Sequence, residues 1–149
     1  ATPADVPRLS ELARSVRAEM EQQRGGVVFL AREARAEPLE DSLAAELADT
    51  EGHALFVGTI DDFVIGYAAV HIEMLRTGDV LAVLTDLYVE EEARAVGVGE
   101  ELMAAALEWS KSRHATAVDT YALPGDRNTK NFFEMSGFTA RLLVMHHKL

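Results

Sequence analysis

Residues 84–107, LTDLYVEEEARAVGVGEELMAAAL, combine an apolar run, a turn with two glycines and an amphipathic pattern. The first part is typical of a β-strand, and from Val98 onward the apolar residues recur at helical spacing. Gly97 and Gly99 lack a Cβ, so the main chain between strand and helix can turn tightly and a ligand can approach its N–H groups. The start of a helix carries a partial positive charge. This turn therefore predicts a site for an anion such as a pyrophosphate.

Two other anion-binding motifs fit the turn less well. A Walker loop requires a lysine after its last glycine, and this turn has none. A dinucleotide-binding fold needs a third glycine where Leu102 stands, and its first glycine follows the first strand directly. Asp119 lies at the spacing of that fold's acidic residue, but residues 90–96 separate the strand from the turn. The dinucleotide-binding fold remains the second interpretation.

Upstream of the turn, the pattern predicts two helices and then three strands. Thr2 and Pro3 are typical of a helix start, and Gly25-Gly26 ends the helical pattern. Residues 27–38 show no clear period and are predicted as a loop. A second, short helix follows over Leu39, Leu43 and Leu47. The predicted strands are 54–60, 63–72 and 80–89, with short turns at 61–62 and 77–79 that favour an antiparallel meander.

Downstream of the turn, helices and strands alternate. The predicted elements are a helix over 98–114, a strand over 117–123, a helix over 127–136 and a final strand over 140–149. The order is α, α, β, β, β, α, β, α, β. Because composition does not change along the chain and no repeat is present, residues 1–149 are predicted to form one domain.

Composition narrows the classes of partner. The chain has 149 residues, 48% of them hydrophobic and 26% charged, with a formal net charge of −11. This charge disfavours binding to nucleic acids and anionic membranes and favours cationic partners. The absence of cysteine excludes a cysteine nucleophile and thiolate metal ligands. No metal site is expected from His146 and His147, which point to opposite faces of a strand. With no apolar run of membrane-spanning length, we expect a soluble, cytoplasmic protein.

Three segments resemble the GNAT N-acetyltransferase superfamily. Residues 94–99, RAVGVG, match its R/Q-x-x-G-x-G/A signature, and residues 86–89, DLYV, look like the end of the preceding strand in that family. Residues 131–138, NFFEMSGF, are similar to its late helix and turn. The resemblance implies an α/β (α+β) fold with a mixed central sheet flanked by helices, in which an antiparallel meander is followed by a splayed parallel strand pair.

The resemblance also implies where acyl-CoA binds. In the family, the strand matching 80–89 carries a bulge and splays from the next parallel strand, and the acyl-CoA lies in that gap. The implied contacts are main-chain groups of the strand end with the pantetheine, N–H groups of the turn with the pyrophosphate, and side chains of the following helix. The implied cofactor-binding residues are Leu87, Tyr88, Val89, Arg94, Ala95, Val96, Gly97, Val98, Gly99, Glu100, Asn128, Asn131 and Phe133. An equal alternative for Asn128 is that it only caps its helix.

The implied reaction is direct transfer of an acetyl group from acetyl-CoA to an amine, without an acyl-enzyme. A protonated amine needs a base. Asp86, Glu90, Glu73 and His71 are the candidates, and Asp86 is preferred because it stands at the strand end near the thioester. The family's tyrosine acid is replaced by Phe133, which cannot donate a proton, so Tyr121 is the predicted substitute, with Tyr88, Ser136 and water as alternatives. This replacement also keeps open a module that binds a CoA thioester without turnover.

The acceptor has no recognisable signature in the sequence. Small amines, aminoglycosides, peptide N-termini and protein lysines all remain open, with a weak preference for a cation from the net charge. The predicted last strand can pair with a copy of itself, which would give a homodimer.

Overall fold

The computed structural model describes residues 1–149 and contains one four-stranded sheet with helices on both faces. Its strands are β1 (His53–Ile60), β2 (Phe63–Met74), β3 (Val80–Val89) and β4 (Ala115–Thr120), in the order β1-β2-β3-β4. The first two pairings are antiparallel and the β3–β4 pairing is parallel. The predicted meander followed by a parallel pair is confirmed.

Five α-helices cover the sheet. They are α1 (Val6–Glu21), α2 (Gly26–Arg32), α3 (Leu39–Ala48), α4 (Val98–Ser112) and α5 (Arg127–Met135). Leucines of α1 and α3 pack on one face of the sheet around the fully buried Tyr67, while Leu102 and Met103 of α4 and Phe133 of α5 pack on the other. Burial of these apolar side chains on both faces is the main source of stability. No helix has the length and apolar character needed to cross a membrane.

Local sequence signals account for most element ends. Thr2 and Asp5 form a capping box ahead of α1, with the Thr2 N–H 2.7 Å from the Asp5 carboxylate. Asp61 and Asp62 connect β1 to β2 with positive φ angles of 49° and 65°, as a two-residue hairpin with both central residues left-handed requires. Gly97 ends the turn before α4 with φ of 91°.

The prediction of a loop over residues 27–38 was wrong in part, because Gly26–Arg32 forms α2. A seven-residue helix is too short to show a clear period or to be stable alone. Tertiary packing stabilises this helix instead. Phe29 is buried, and its ring contacts the Tyr121 ring edge-on, with ring centroids 5.6 Å apart.

Three further boundaries differ from the predictions. The helix over 98–114 ends at Ser112, and the strand over 117–123 runs instead from Ala115 to Thr120. The predicted final strand over 140–149 is not part of the sheet, because none of its main-chain groups forms a backbone hydrogen bond. A strand-like composition produces a strand only where a partner edge lies alongside.

Candidate active site

The sheet opens where β3 and β4 stop pairing. Their parallel register runs from Val80–Ala115 to Leu84–Thr120 and ends there. Beyond it, β3 continues against β2 alone, and the register shift between Ala69 and Val70 places an extra residue, Thr85, in β3 as a bulge. Residues 85–89 therefore have one unpaired edge facing a gap between the two strands. The bulge and the splay implied by the family resemblance both lie here.

The main-chain groups of Leu87 and Val89 face this gap. The Glu90 N–H bonds to the Ile65 carbonyl of β2, and successive residues of a strand alternate the direction of their main-chain groups. The Val89 carbonyl oxygen already accepts a hydrogen bond from Arg94 Nε at 2.8 Å. A ligand amide at Val89 must share this oxygen or displace the guanidinium, whereas no such competitor faces Leu87.

The turn before α4 presents six consecutive N–H groups, those of residues 95–100, none of which has a hydrogen-bond acceptor in the protein. Two left-handed residues, Ala95 with φ of 70° and Gly97 with φ of 91°, give the turn its shape. A Cβ on Gly97 would meet no atom within 4 Å, so the space before it is open. By contrast, the first turn of α5 is capped by the Asp126 carboxylate. Successive free N–H groups in such a turn form an anion-binding concavity.

Arg94 holds this turn against the end of β3 and against α1. Its terminal nitrogen lies 3.1 Å from both oxygens of Glu19, and its guanidinium stacks over the Tyr88 ring with 5.4 Å to the centroid. The Tyr88 hydroxyl donates to Glu19 at 3.0 Å. Partial burial and this carboxylate raise the pKa of Tyr88, so its phenol stays neutral. The Tyr88 side chain thus belongs to the α1 face rather than to the gap.

Asp86, predicted as the base, is tied into a buried ionic network. One of its oxygens accepts from Arg35 at 2.6 Å and the other from the Tyr67 hydroxyl at 3.1 Å. The Arg35 side chain is only 4% exposed, also pairs with Glu46 and donates to Ser42 at 3.1 Å, while its Nε has no partner.

The charges of this network keep Arg35 and Tyr67 protonated. Burial opposes the Arg35 charge, but the Asp86 and Glu46 carboxylates outweigh burial and raise the pKa of Arg35. Burial and the Asp86 charge raise the pKa of Tyr67, so the phenol keeps its proton and donates it. Because Arg35 and Tyr67 occupy both oxygens of Asp86, neither oxygen is left free to accept a proton from a substrate.

Tyr121, the predicted acid, lies just past β4 and contacts α2 through Phe29. Its ring is 44% exposed. Partial burial raises the pKa of Tyr121, and the carboxylates of Glu73, Asp119 and Glu33 raise it further. The Arg141 guanidinium, which pairs with Asp119, lowers this pKa in part, and the phenol remains protonated at neutral pH.

Two of the other candidate bases, Glu90 and His71, each lie next to a charged side chain. Glu90 is paired with Arg8 at 2.8 Å, on the α1 side. His71 is joined to Glu73 through Nε2 at 3.0 Å and faces the same side of the sheet as Asp86, because His71 pairs with Val83 and Ala69 with Asp86 in the strand register. The His71 side chain is partly exposed, so an acceptor can reach it.

The helix after β4 carries the remaining predicted cofactor residues. Asn128 and Asn131 are exposed on α5, whereas Phe133 is buried in the core and faces away from solvent. Asp126, not Asn128, caps the helix. Asn128 lines a groove of about 470 Å³ together with Gln23, Arg24, Pro124, Gly125, Asp126 and Arg127. The neighbouring ring of Phe132 lies beside Gly99, so α5 joins this groove to the turn before α4.

Sequence analysis missed Arg35, Glu46, Glu19 and Phe29. Arg35 lies in the segment predicted as a loop, and its partners are distant along the chain, so no local pattern marks it. No group of three or more His, Asp and Glu side chains is arranged to hold a metal ion.

Comparison with known proteins agrees with this geometry. The model of the acetyltransferase (GNAT) family matches residues 15–138. No curated protein sequence matches the chain.

Several solved structures share the fold. A mutant of the BH1408 protein from Bacillus halodurans has a TM-score of 0.82 at 20% identity, covering 100% of this chain and 96% of that one. An aminoglycoside acetyltransferase, meta-AAC0020 from an uncultured soil metagenomic sample, solved with sisomicin, has a TM-score of 0.73 at 19% identity, with 100% and 91% covered. The ribosomal-protein-alanine N-acetyltransferase of Brucella melitensis biovar Abortus 2308 has a TM-score of 0.71 at 13% identity, with 100% and 95% covered.

Proposed function

The chain belongs to the GNAT acetyltransferase family, and from this premise we propose that it transfers an acetyl group from acetyl-CoA to an amine. Membership of the family indicates acyl transfer in general. The observation that carries the more specific proposal is the run of N–H groups at residues 95–100, which have no acceptor in the protein and lie next to the open edge of β3. This arrangement suits a ligand with a diphosphate joined to a chain of amides.

The donor contacts follow from these free groups. The N–H groups of residues 95–100 would bind the pyrophosphate, and the main chain of Leu87 would pair with a pantetheine amide. Arg94 orients the turn through Glu19 and Val89. Arg24 and Arg127, which line one groove with Asn128, supply positive charge for the phosphates of CoA.

For the base we propose His71, oriented by Glu73. Imidazole is the side chain most often used as a general base, and the Glu73 carboxylate, 3.0 Å from Nε2, orients the His71 ring. Asp86 would then act as a positioning residue at the bulge, since Arg35 and Tyr67 occupy both its oxygens. Direct proton abstraction by Asp86 stays a prediction, which the substitutions below test.

Tyr121 is proposed as the acid. The amine nitrogen attacks the thioester carbonyl carbon, the carbon–sulfur bond breaks, and the departing thiolate takes the phenolic proton. The raised pKa of Tyr121 keeps that proton available at neutral pH. The surrounding carboxylates favour a cationic acceptor, because a protonated amine is attracted to Glu33, Glu73 and Asp119 before it loses its proton.

An assay of CoA release from acetyl-CoA across a panel of amines tests the proposal. We expect sustained release with at least one cationic amine. Tight CoA binding without release on the whole panel would instead support a binding module, the alternative that Phe133 at the tyrosine position raises.

Histidine substitutions test the base. His71→Ala should lower kcat by about 10²-fold or more, and added imidazole should restore part of it. His53→Ala is the matched control, because His53 stacks 5.7 Å from His71 but pairs with Asp49. If His71→Ala keeps normal kcat while Asp86→Asn, folded to the same extent, loses it, Asp86 is the base.

A further inference from the structure

Arg141 holds the carboxylate of Asp119 near the end of β4. Its Nε lies 2.8 Å and 3.0 Å from the two carboxylate oxygens, and a terminal nitrogen of the guanidinium also pairs with one of them. The Asp119 side chain is 21% exposed and the Arg141 side chain 64%. Several contacts between one planar guanidinium and one carboxylate fix the orientation of both groups.

This ion pair lies on the face of the sheet that carries the proposed base. Val83 of β3 pairs with His71 on one side and with Asp119 on the other, so the side chains of all three residues point to the same face. Two strand spacings of ~4.8 Å separate the Cα atoms of His71 and Asp119. Tyr121 follows Asp119 by two residues, so their Cα atoms are no more than ~7 Å apart. The ion pair thus lies beside the proposed acid.

Three carboxylates and one guanidinium act on the Tyr121 phenol from four parts of the chain. They belong to Glu73 of β2, Asp119 of β4, Glu33 at the end of α2 and Arg141. Partial burial has the largest effect and raises the pKa of Tyr121, the carboxylates raise it further, and the guanidinium lowers it. Of the carboxylates, Glu33 pairs with Arg32 and Glu73 with His71. Arg141 therefore supplies a positive charge that opposes the carboxylates at the phenol.

A buried phenol among carboxylates is a weak proton donor for a thiolate. The reference pKa is ~10 for tyrosine and ~8.5 for a thiol, so transfer from phenol to thiolate is unfavourable before burial and carboxylates weaken the acid further. An unpaired carboxylate nearby would also repel the negative charge that forms during the transfer. A guanidinium that holds this carboxylate and lies close to the phenol reduces both penalties.

We propose that Arg141 is a positioning residue for the acid step, in which it fixes the Asp119 carboxylate and stabilises the phenolate that Tyr121 becomes. This role rests on the proposed acetyl transfer with Tyr121 as the acid. As the carbon–sulfur bond breaks, the phenolic O–H bond breaks and an S–H bond forms, so the negative charge passes from sulfur to the phenolate oxygen. The His71 imidazolium then loses its proton to water, and the phenolate regains one from water.

A double-mutant cycle tests whether Arg141 acts through Tyr121. Arg141→Gln should lower kcat by about threefold to fivefold, the effect of one unit charge a few ångströms away in water, with an unchanged KM for acetyl-CoA. In a Tyr121→Phe background the same substitution should have no further effect on kcat. Arg141→Lys keeps the charge and should retain most of the activity. Arg14→Gln is the matched control, because Arg14 is a 57% exposed arginine that pairs with Glu40.

Titration of the phenol is a test that does not require turnover. The chain has three tyrosines, so the ultraviolet signal of the Tyr121 phenolate is identified by its loss in Tyr121→Phe. Arg141→Gln removes a positive charge and should shift the pKa of Tyr121 upward. Asp119→Asn removes a negative charge and should shift this pKa downward, and Arg14→Gln should leave it unchanged.

Three results would overturn the role of Arg141 while the wild type still releases CoA. They are an unchanged kcat in Arg141→Gln, an equal loss of kcat with and without the Tyr121 hydroxyl, and an unchanged pKa of Tyr121 in Arg141→Gln. Absence of CoA release by the wild type with every amine is a different outcome, which would overturn the proposed function and this role with it.

Discussion

Arg35 is the residue on which the arrangement of the site most depends. Its buried guanidinium connects the segment after α2 to the bulge of β3 through Asp86 and to α3 through Glu46. Such a cluster contributes little net stability compared with apolar packing, but removing one member leaves an uncompensated buried charge. The network therefore fixes the position of Asp86 more than it stabilises the fold.

We predict that Arg35→Met destabilises the protein by about 3–5 kcal/mol at neutral pH. In this variant Asp86 and Glu46 lose their shared cation, so two buried carboxylates are left without a counterion. Arg32→Met, at a side chain 74% exposed, should change the free energy of unfolding by less than about 0.5 kcal/mol. Urea unfolding of both variants at neutral pH measures the two free energies of unfolding. Equal values would contradict the prediction that the buried carboxylates depend on Arg35.

Tyr121 leads to a prediction about pH. An acid must be protonated to act, and the pKa of Tyr121 is raised above its usual value of 10.0 by partial burial and by Glu73, Asp119 and Glu33. The kcat of the wild type should therefore not fall on the alkaline side before about pH 10. Tyr121→Phe should lower kcat by up to about 10²-fold with little change in the KM for acetyl-CoA. Unchanged kcat would assign the proton to water or another group.

At the scale of elements, the turn between β3 and α4 combines a left-handed alanine, a left-handed glycine and an uncapped helix start. Each is unfavourable in isolation. Together they leave six consecutive N–H groups without an acceptor in the protein, which an anion can satisfy. Gly99, by contrast, lies next to the Phe132 ring and allows α4 and α5 to pack closely.

Gly97→Val tests this turn, with Gly78→Val as a matched control. The two glycines have φ angles of 91° and 88°, and a Cβ on either meets no atom within 4 Å. Both variants should lose a similar stability of about 1–2 kcal/mol from the left-handed conformation. Only Gly97→Val should weaken CoA binding, by tenfold or more in calorimetry. Equal CoA affinity in the two variants would place the diphosphate elsewhere.

For the whole molecule, the net charge of −11 should act oppositely on the two proposed substrates. It would attract a cationic acceptor and repel the phosphates of acetyl-CoA, which main-chain N–H groups would have to hold against that repulsion.

The KM values for the two substrates should therefore depend differently on salt concentration. Raising sodium chloride from about 10 mM to about 100 mM shortens the Debye length from ~30 Å to ~10 Å. We expect the KM for a cationic acceptor to rise severalfold, while the KM for acetyl-CoA stays constant or falls. Steady-state kinetics with a neutral-tailed amine of similar size serves as the control. A KM for acetyl-CoA that rises steeply with salt would mean that basic side chains dominate its binding.

The order of elements from β1 to α5, the meander and the turn before α4 could be predicted because each depends on residues close in the chain. β3 was predicted with the bounds that it has, and the two hairpin turns follow from Asp61-Asp62 and Gly78. The proposal that this turn binds an anion also follows from local composition, since glycine spacing and helix polarity are properties of a few consecutive residues.

Tertiary structure alone decided three features. α2 forms because Phe29 is buried against Tyr121, Asp86 is bound because Arg35 arrives from 51 residues away, and residues 139–149 contact β4 through Arg141 and Asp119 without forming a backbone hydrogen bond to its free edge. In the first two cases the stabilising partner lies far away along the chain. Periodicity and propensity describe only what a segment can form, and burial and pairing determine what it does form.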